Sequence, residues 1–171
     1  SYDLRRLKPY KTNFYNITPS GQFSSLAFQF LLTRNDHEAM FACVREAMLP
    51  DGYFLFETRN PNAQNLNGLR KPDGNTYTLP DGGQLKTTLE QTYNPITQIQ
   101  HYQSHLDFQY ADDRRVQKTL HTELRYIHPQ EMEALLHYNG FQIHTVYGDW
   151  QQNPLTATSP AMIYVCQQYN P

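Results

Sequence analysis

The chain has 171 residues, enough for a domain with a real hydrophobic core. Hydrophobic residues make up 39%, charged residues 18%, and the net charge is −2, which excludes a charge-rich disordered chain. The same balance gives no electrostatic footprint for nucleic acid, and no apolar run approaches the roughly 20 residues of a membrane span.

Tyrosine is abundant, with 13 copies, which favours half-exposed strands over Leu-rich helices. The basic cluster Arg5, Arg6, Lys8 reads as a solvated turn. The opening SYDLRRLK does not read as a secretory leader. Cys43 and Cys166 both sit in apolar patterns without metal-ligand spacing. They are expected to be buried free thiols of a cytoplasmic protein.

In chain order, residues 13–18 (NFYNIT) read as a strand closed by the turn Pro19-Ser20-Gly21. Residues 22–32 read as either a short helix or a buried loop. Thr33 and Asp36 have the spacing of a capping box, with Asp in place of Glu or Gln. A helix is predicted over 34–48, with Met40, Val44, Ala47 and Met48 on its apolar face. It stops before Pro50, because the residue ahead of a proline avoids the α region. Tyr53–Glu57 reads as a short apolar strand buried on both faces.

Residues 60–85 are rich in Asn, Gly, Pro and Asp and read as a long loop. Three strands follow: 86–93, 98–110 and 115–126. Tyr102, Leu106, Phe108 and Tyr110 share one face of the second. Val116, Leu120, Leu124 and Tyr126 share one face of the third. Such alternation describes an antiparallel meander with one wet side. Pro129 suits the first turn of a helix. Met132, Leu135 and Leu136 form its apolar face, and Gly140 falls just past its end. Strands at 141–147 and 161–168 close the chain and are expected to pair antiparallel.

This order and several local phrases resemble the C-terminal half of class I S-adenosylmethionine-dependent methyltransferases, of the small-molecule type with a β-rich insertion after the fifth strand. FLLTRNDHEAMFACVREAMLPDGYFLFETRNP resembles their fourth helix, turn and fifth strand. HPQEMEALLHYNGF resembles the helix before their sixth strand, and YGDW with SPAMIYVCQQ resembles their closing strands. SYDLRRLK resembles the acidic loop where a family Asp meets the adenine amino group. The resemblance implies an α/β fold: a partial Rossmann-like methyltransferase sheet with an inserted antiparallel β-meander. Residues 1–60 and 127–171 of a single domain (1–171) would form the α/β portion, and 61–126 the inserted loop and meander.

The resemblance also implies S-adenosylmethionine as cofactor and a small molecule as methyl acceptor. Asp3 would meet the adenine, and Pro19, Ser20 and Gln22 would approach the methionine moiety. Turn formation explains the last three equally well. The family builds its cofactor site on a Gly-rich turn and an acidic strand end. No Gly-x-Gly occurs in this sequence. The chain is therefore expected to be truncated relative to the family, with a homodimer or a missing N-terminal half as partner. The alternative is a non-enzymatic methyltransferase-like module for oligomerisation or ligand binding, paired through an edge near Asn13–Thr18 or Ala161–Gln168.

In open α/β sheets, ligands bind beyond the carboxyl ends of the strands. Thr58, Arg59 and Asn60 hold that position after the apolar strand and are candidates to bind substrate. The plainer reading is that they satisfy backbone groups ahead of Pro61. Arg125, Tyr126 and Tyr147 are further candidate substrate-binding residues at strand ends, next to Gly148. Asp149 and His128 are the candidate bases for an acceptor that must lose a proton. Their plainer readings are a turn-former and a helix N-terminal residue. His101, His105 and His121 fall on one face of the meander. Three imidazoles can bind zinc, but cross-strand polar pairing is the favoured reading, and no metal is assigned.

Overall fold

A computed structural model describes residues 27–49, 51–66 and 71–169. The expected strand 13–18, the turn at 19–21, and the candidates Asp3, Pro19, Ser20 and Gln22 lie outside them. The described chain forms seven strands and two α-helices, and it divides into two compact units. One comprises residues 1–64 and 126–171, the other residues 65–125.

In the first unit, helix α1 (Arg34–Ala47) starts at a complete capping box. Thr33 Oγ1 accepts from the Asp36 amide at 3.2 Å, and Asp36 Oδ2 accepts from the Thr33 amide at 2.9 Å. Two of the orphan donors at the helix start are thereby satisfied. The buried face is centred on His37, Phe41 and Val44, with Met40 and Met48 packed against the core. Ala47, expected on that face, is exposed. The spacing 37, 41, 44, 48 sets the stripe about an eighth of a turn from the one expected.

Strand β1 (Tyr53–Arg59) follows the turn at 51–52. Strands β6 (Phe141–Tyr147) and β7 (Ala161–Gln168) complete a three-stranded antiparallel sheet in the order β1-β7-β6. The expected β6–β7 pairing is present. The last strand, however, occupies the middle of the sheet, so Ala161–Gln168 is not an edge open to another chain. Helix α2 (Pro129–Tyr138) buries Met132 and Leu136, and Leu135 packs against the core.

The core of this unit is largely aromatic. Phe41 meets Phe28, Phe54 and Phe141 at centroid distances of 6.0, 6.3 and 5.5 Å. Phe28 stacks on Phe56 at 4.7 Å, and Phe56 on Tyr164 at 5.1 Å. Burial pushes the Tyr164 hydroxyl well above its usual pKa and the Cys166 thiol up to about 12. Cys43 and Cys166 are both free. β1 departs from the expected double burial. Phe54, Phe56 and Thr58 are buried, whereas Tyr53, Leu55, Glu57 and Arg59 alternate on a more open face. That face carries the site discussed below.

The second unit is a four-stranded antiparallel sheet in the order β2-β3-β4-β5. Its strands are β2 (Lys71–Thr78), β3 (Gln84–Asn94), β4 (Ile99–Gln109) and β5 (Arg115–Arg125). β2 falls inside the segment expected to be a loop. Its sequence, KPDGNTYT, carries the breakers Pro72 and Gly74, which hide a strand from propensity reasoning. The register slips between Lys71 and Asn75, and Gly74 sits in the slip at φ 60°. A Cβ there would run into the Thr87 carbonyl, so only glycine fits.

The alternation along β4 and β5 matches the registers, with Phe108 opposite Val116, Ser104 opposite Leu120 and Gln100 opposite Leu124. Burial does not follow as far as expected. Val116 is 39% exposed and Leu120 52% exposed, because β5 has a strand on one side only. The three histidines share a face but occupy different rungs. His101 Nδ1 lies 2.9 Å from Glu123 Oε1, and His105 Nδ1 lies 3.2 Å from Thr119 Oγ1. His121 stands opposite Gln103. Among the described residues, no helix is long and apolar enough to cross a membrane.

Candidate functional site

β1 and β6 both run antiparallel to β7, so their carboxyl ends lie at the same end of the sheet. Glu57–Asn60 and Tyr147–Trp150 meet there. Trp150 Nε1 donates to Glu57 Oε2 at 2.8 Å, tying the two strand ends together. Sequence reasoning missed this pair. The signal was available, since Trp150 is the only tryptophan and follows a strand end directly.

The open face of the sheet leads away from this pair as a cleft of about 340 Å3. Leu55, Ile163 and Val165 line it, with Tyr53, Tyr147 and Trp150 also contributing. His144 is skipped in the β6–β7 register, which marks a local irregularity, and its ring meets Tyr53 edge-on at 5.8 Å. An apolar cleft with a few convergent polar groups is the usual form of a small-molecule site.

The structure places the candidate residues in different circumstances. Arg59 Nη1 donates to the hydroxyl of Tyr126 at 3.3 Å. Tyr126 is fully buried, so its oxygen fixes one end of a partly exposed guanidinium. Asn60 is 1% exposed, and its amide is occupied within the chain. Its Nδ2 donates to the carbonyls of Ser159 at 2.9 Å and Thr156 at 3.1 Å, and Oδ1 accepts from the Asn62 amide at 3.1 Å. Asn60 thus clamps the end of β1 to the 148–160 loop. Thr58 faces the buried side, and its hydroxyl has no hydrogen-bond partner among the described residues.

Tyr147 ends β6, and Gly148 follows with its amide donating to the Asn153 carbonyl at 2.8 Å. A Cβ on Gly148 would collide with Ser159, so the loop closes here only over a glycine. Asp149 accepts from the Asn153 side chain at 2.8 Å and from the amides of Gln151 and Asn153 at 3.0 and 3.1 Å. The Asn153 side chain, followed by these amides, holds the Asp149 carboxyl below the usual carboxylate range. His128 is an exposed N-cap residue of α2 that makes no side-chain capping bond. Arg125 is the last residue of β5, opposite Ile99 in the four-stranded unit.

No family model and no curated protein matches the sequence. Solved structures do match the fold. The CcbJ methyltransferase from Streptomyces caelestis is 18% identical at a TM-score of 0.64, over 88% of this chain and 59% of that one. An S-adenosylmethionine-dependent methyltransferase from Clostridium acetobutylicum is 12% identical at a TM-score of 0.64, over 93% and 63%. CalS10, an amino pentose methyltransferase from Micromonospora echinaspora, is 14% identical at a TM-score of 0.60, over 85% and 58%. The chain therefore has part of the fold of S-adenosylmethionine-dependent methyltransferases and spans about three-fifths of the length of these structures.

The described residues do not by themselves fit S-adenosylmethionine. The Asn60 amide is occupied, and both carboxylates at the strand ends, Glu57 and Asp149, already accept hydrogen bonds from Trp150 and from the 149–153 turn. Asp149 is taken up by its own turn, Glu57 has one carboxylate oxygen pinned by Trp150, and no Gly-x-Gly occurs in the sequence to let the backbone approach a ribose closely.

Proposed function

We propose that this chain is the acceptor-side part of an S-adenosylmethionine-dependent methyltransferase that acts on a small molecule. One observation carries the reading: the sheet order β1-β7-β6, with the last strand inserted antiparallel between the other two, in a chain whose fold matches methyltransferases. The amino pentose methyltransferase among the matches supports a small polar acceptor.

Methyl transfer depends mainly on proximity and orientation. S-adenosylmethionine, when bound, supplies the methyl group. The residues of this chain have the remaining tasks. Arg59, anchored by Tyr126, offers a fixed donor at the end of β1. Trp150 and Tyr147 give apolar contact area in the cleft. Glu57 keeps the Trp150 ring in place through its indole N–H. Asp149 is better suited to holding the turn than to taking a proton, because its carboxylate already accepts from three donors. His128 is the remaining candidate base, exposed and without a capping bond.

Isothermal titration of S-adenosylmethionine tests the reading. The 171-residue chain alone is expected to show no binding heat. A longer form that supplies a Gly-rich strand–helix unit is expected to bind with a Kd on the order of micromolar. If the longer form also gives no heat, the methyltransferase reading fails and the fold serves as a non-enzymatic module.

A further inference from the structure

The two edges of the four-stranded sheet are built differently. At β2, Pro72 supplies no backbone N–H and the register slips around Gly74. Both features blunt an edge against pairing with another chain. β5 has neither. It is 11 residues long, contains no Pro or Gly, and stays in unbroken register with β4 from Arg115 to Arg125. Every residue from Arg115 to His121 is exposed. Among the described residues, no strand pairs with its outer side. A long, regular, open edge is a template for another strand.

We propose that β5 pairs antiparallel with β5 of a second copy of this chain, about a two-fold axis at Thr119. Charge complementarity selects both the occupant and the register. With Thr119 on the axis, residues whose numbers sum to 238 stand opposite each other. Arg115 then faces the partner's Glu123, and Glu123 faces the partner's Arg115. Gln117 faces the partner's His121. On the other face, Val116 meets the partner's Thr122, and the Lys118 stem lies beside the partner's Leu120. The half-exposed Leu120 side chains of the two copies meet diagonally across the axis.

Neighbouring registers are worse. A two-residue shift that centres the axis on Leu120 puts Arg115 opposite the partner's Arg125, twice. A shift that centres it on Lys118 puts the two lysines against each other. Like charges directly opposite are destabilising. The chosen register also extends charge rows that already exist within each copy. Asp107 Oδ1 lies 3.7 Å from Arg115 Nε, and His101 Nδ1 lies 2.9 Å from Glu123 Oε1. Across the junction the order becomes Asp107, Arg115, the partner's Glu123, the partner's His101, with Arg115 between two carboxylates. The pairing is isologous and closes at two copies, and the result is one eight-stranded sheet. A nine-residue edge buries less than the roughly 1,600 Å2 of a standard interface, so a dissociation constant on the order of micromolar is expected.

Sedimentation equilibrium of the 171-residue chain, over a concentration series reaching the order of 100 μM, tests this. The chain is expected to dimerise, and more weakly in high salt. Arg115→Glu and Glu123→Arg, each alone, place like charges opposite at two points and are expected to weaken the dimer by about tenfold or more. The double exchange Arg115→Glu with Glu123→Arg restores complementarity and is expected to restore the dimer. Far-UV circular dichroism checks that each variant remains folded, and the double variant distinguishes a lost pairing from a damaged sheet. A monomer throughout the range overturns the proposal. So does a dimer that the single exchanges leave unchanged, or one that the double exchange does not recover.

Discussion

The two sheets of this protein show two ways of holding antiparallel strands together. In the three-stranded sheet, the helix-facing side of β1 and β7 packs into interlocking rings, with Phe41, Phe54, Phe56 and Tyr164 all at 1% exposure or less. In the four-stranded sheet, cross-strand pairs do most of the work, and large apolar side chains such as Tyr77, Leu89 and Leu120 stay substantially exposed. Burial of apolar surface stabilises by about 25 cal/mol per Å2, whereas a cross-strand pair contributes roughly 0.2–1 kcal/mol. The first sheet should therefore be sensitive to single core truncations, and the second tolerant of them.

The sharpest way to break that comparison is one truncation in the packing of each sheet. Phe41→Ala removes a fully buried ring that meets three other aromatic rings. It is expected to cost about 3–5 kcal/mol in urea-induced unfolding. Leu89→Ala, at a side chain 39% exposed, is expected to cost less than about 1 kcal/mol. Equal losses would show that the meander depends on apolar burial as much as the ring-packed sheet does.

A smaller effect tests how the first sheet carries its candidate site. Asn60→Ala leaves the Ser159 and Thr156 carbonyls without the Nδ2 donor and the Asn62 amide without its acceptor. Unmade buried hydrogen bonds cost about 1–3 kcal/mol, and a loss in that range is expected. Faster amide exchange confined to the 148–160 loop is the accompanying sign. Exchange that stays unchanged there would mean that Asn60 does not hold the loop.

What the sequence revealed divides along the same line. The helix starts, the β1 strand, the closing pair and the alternation of the meander were legible because they depend on local chemistry: a capping box, a proline at a first turn, and period-two patterning. β2 was not legible, because Pro72 and Gly74 are breakers in any local reading and only pairing with β3 makes them a strand. The central place of β7 was hidden for a related reason. Its run AMIYVCQQ is almost wholly apolar, which suits a middle strand, but topology is not a property of the run itself. At the site, strand-end position singled out Arg59, Tyr126 and Tyr147 as candidates. Trp150 and Tyr126 gained their roles from partners 93 and 67 residues away, contacts that no local pattern encodes.

The smallest effect concerns the entrance to α1, where local sequence and three-dimensional structure agree. Thr33→Ala removes one half of the capping box and is expected to cost about 1 kcal/mol. The pH dependence adds a second readout. Partial burial works to raise the Asp36 pKa, but hydrogen bonds from the Thr33 side chain and amide, with a contribution from His37, outweigh it and leave it below its ordinary value of 3.8. A depressed carboxylate pKa stabilises the fold above the unfolded-state value, and that stabilisation is lost as pH falls through the lower folded value. The difference in stability between the wild type and Thr33→Ala should therefore hold steady at neutral pH and narrow as pH drops below about 4. A difference that stays constant into acid would show that the Thr33 hydroxyl acts only through the helix backbone and not through the Asp36 carboxylate.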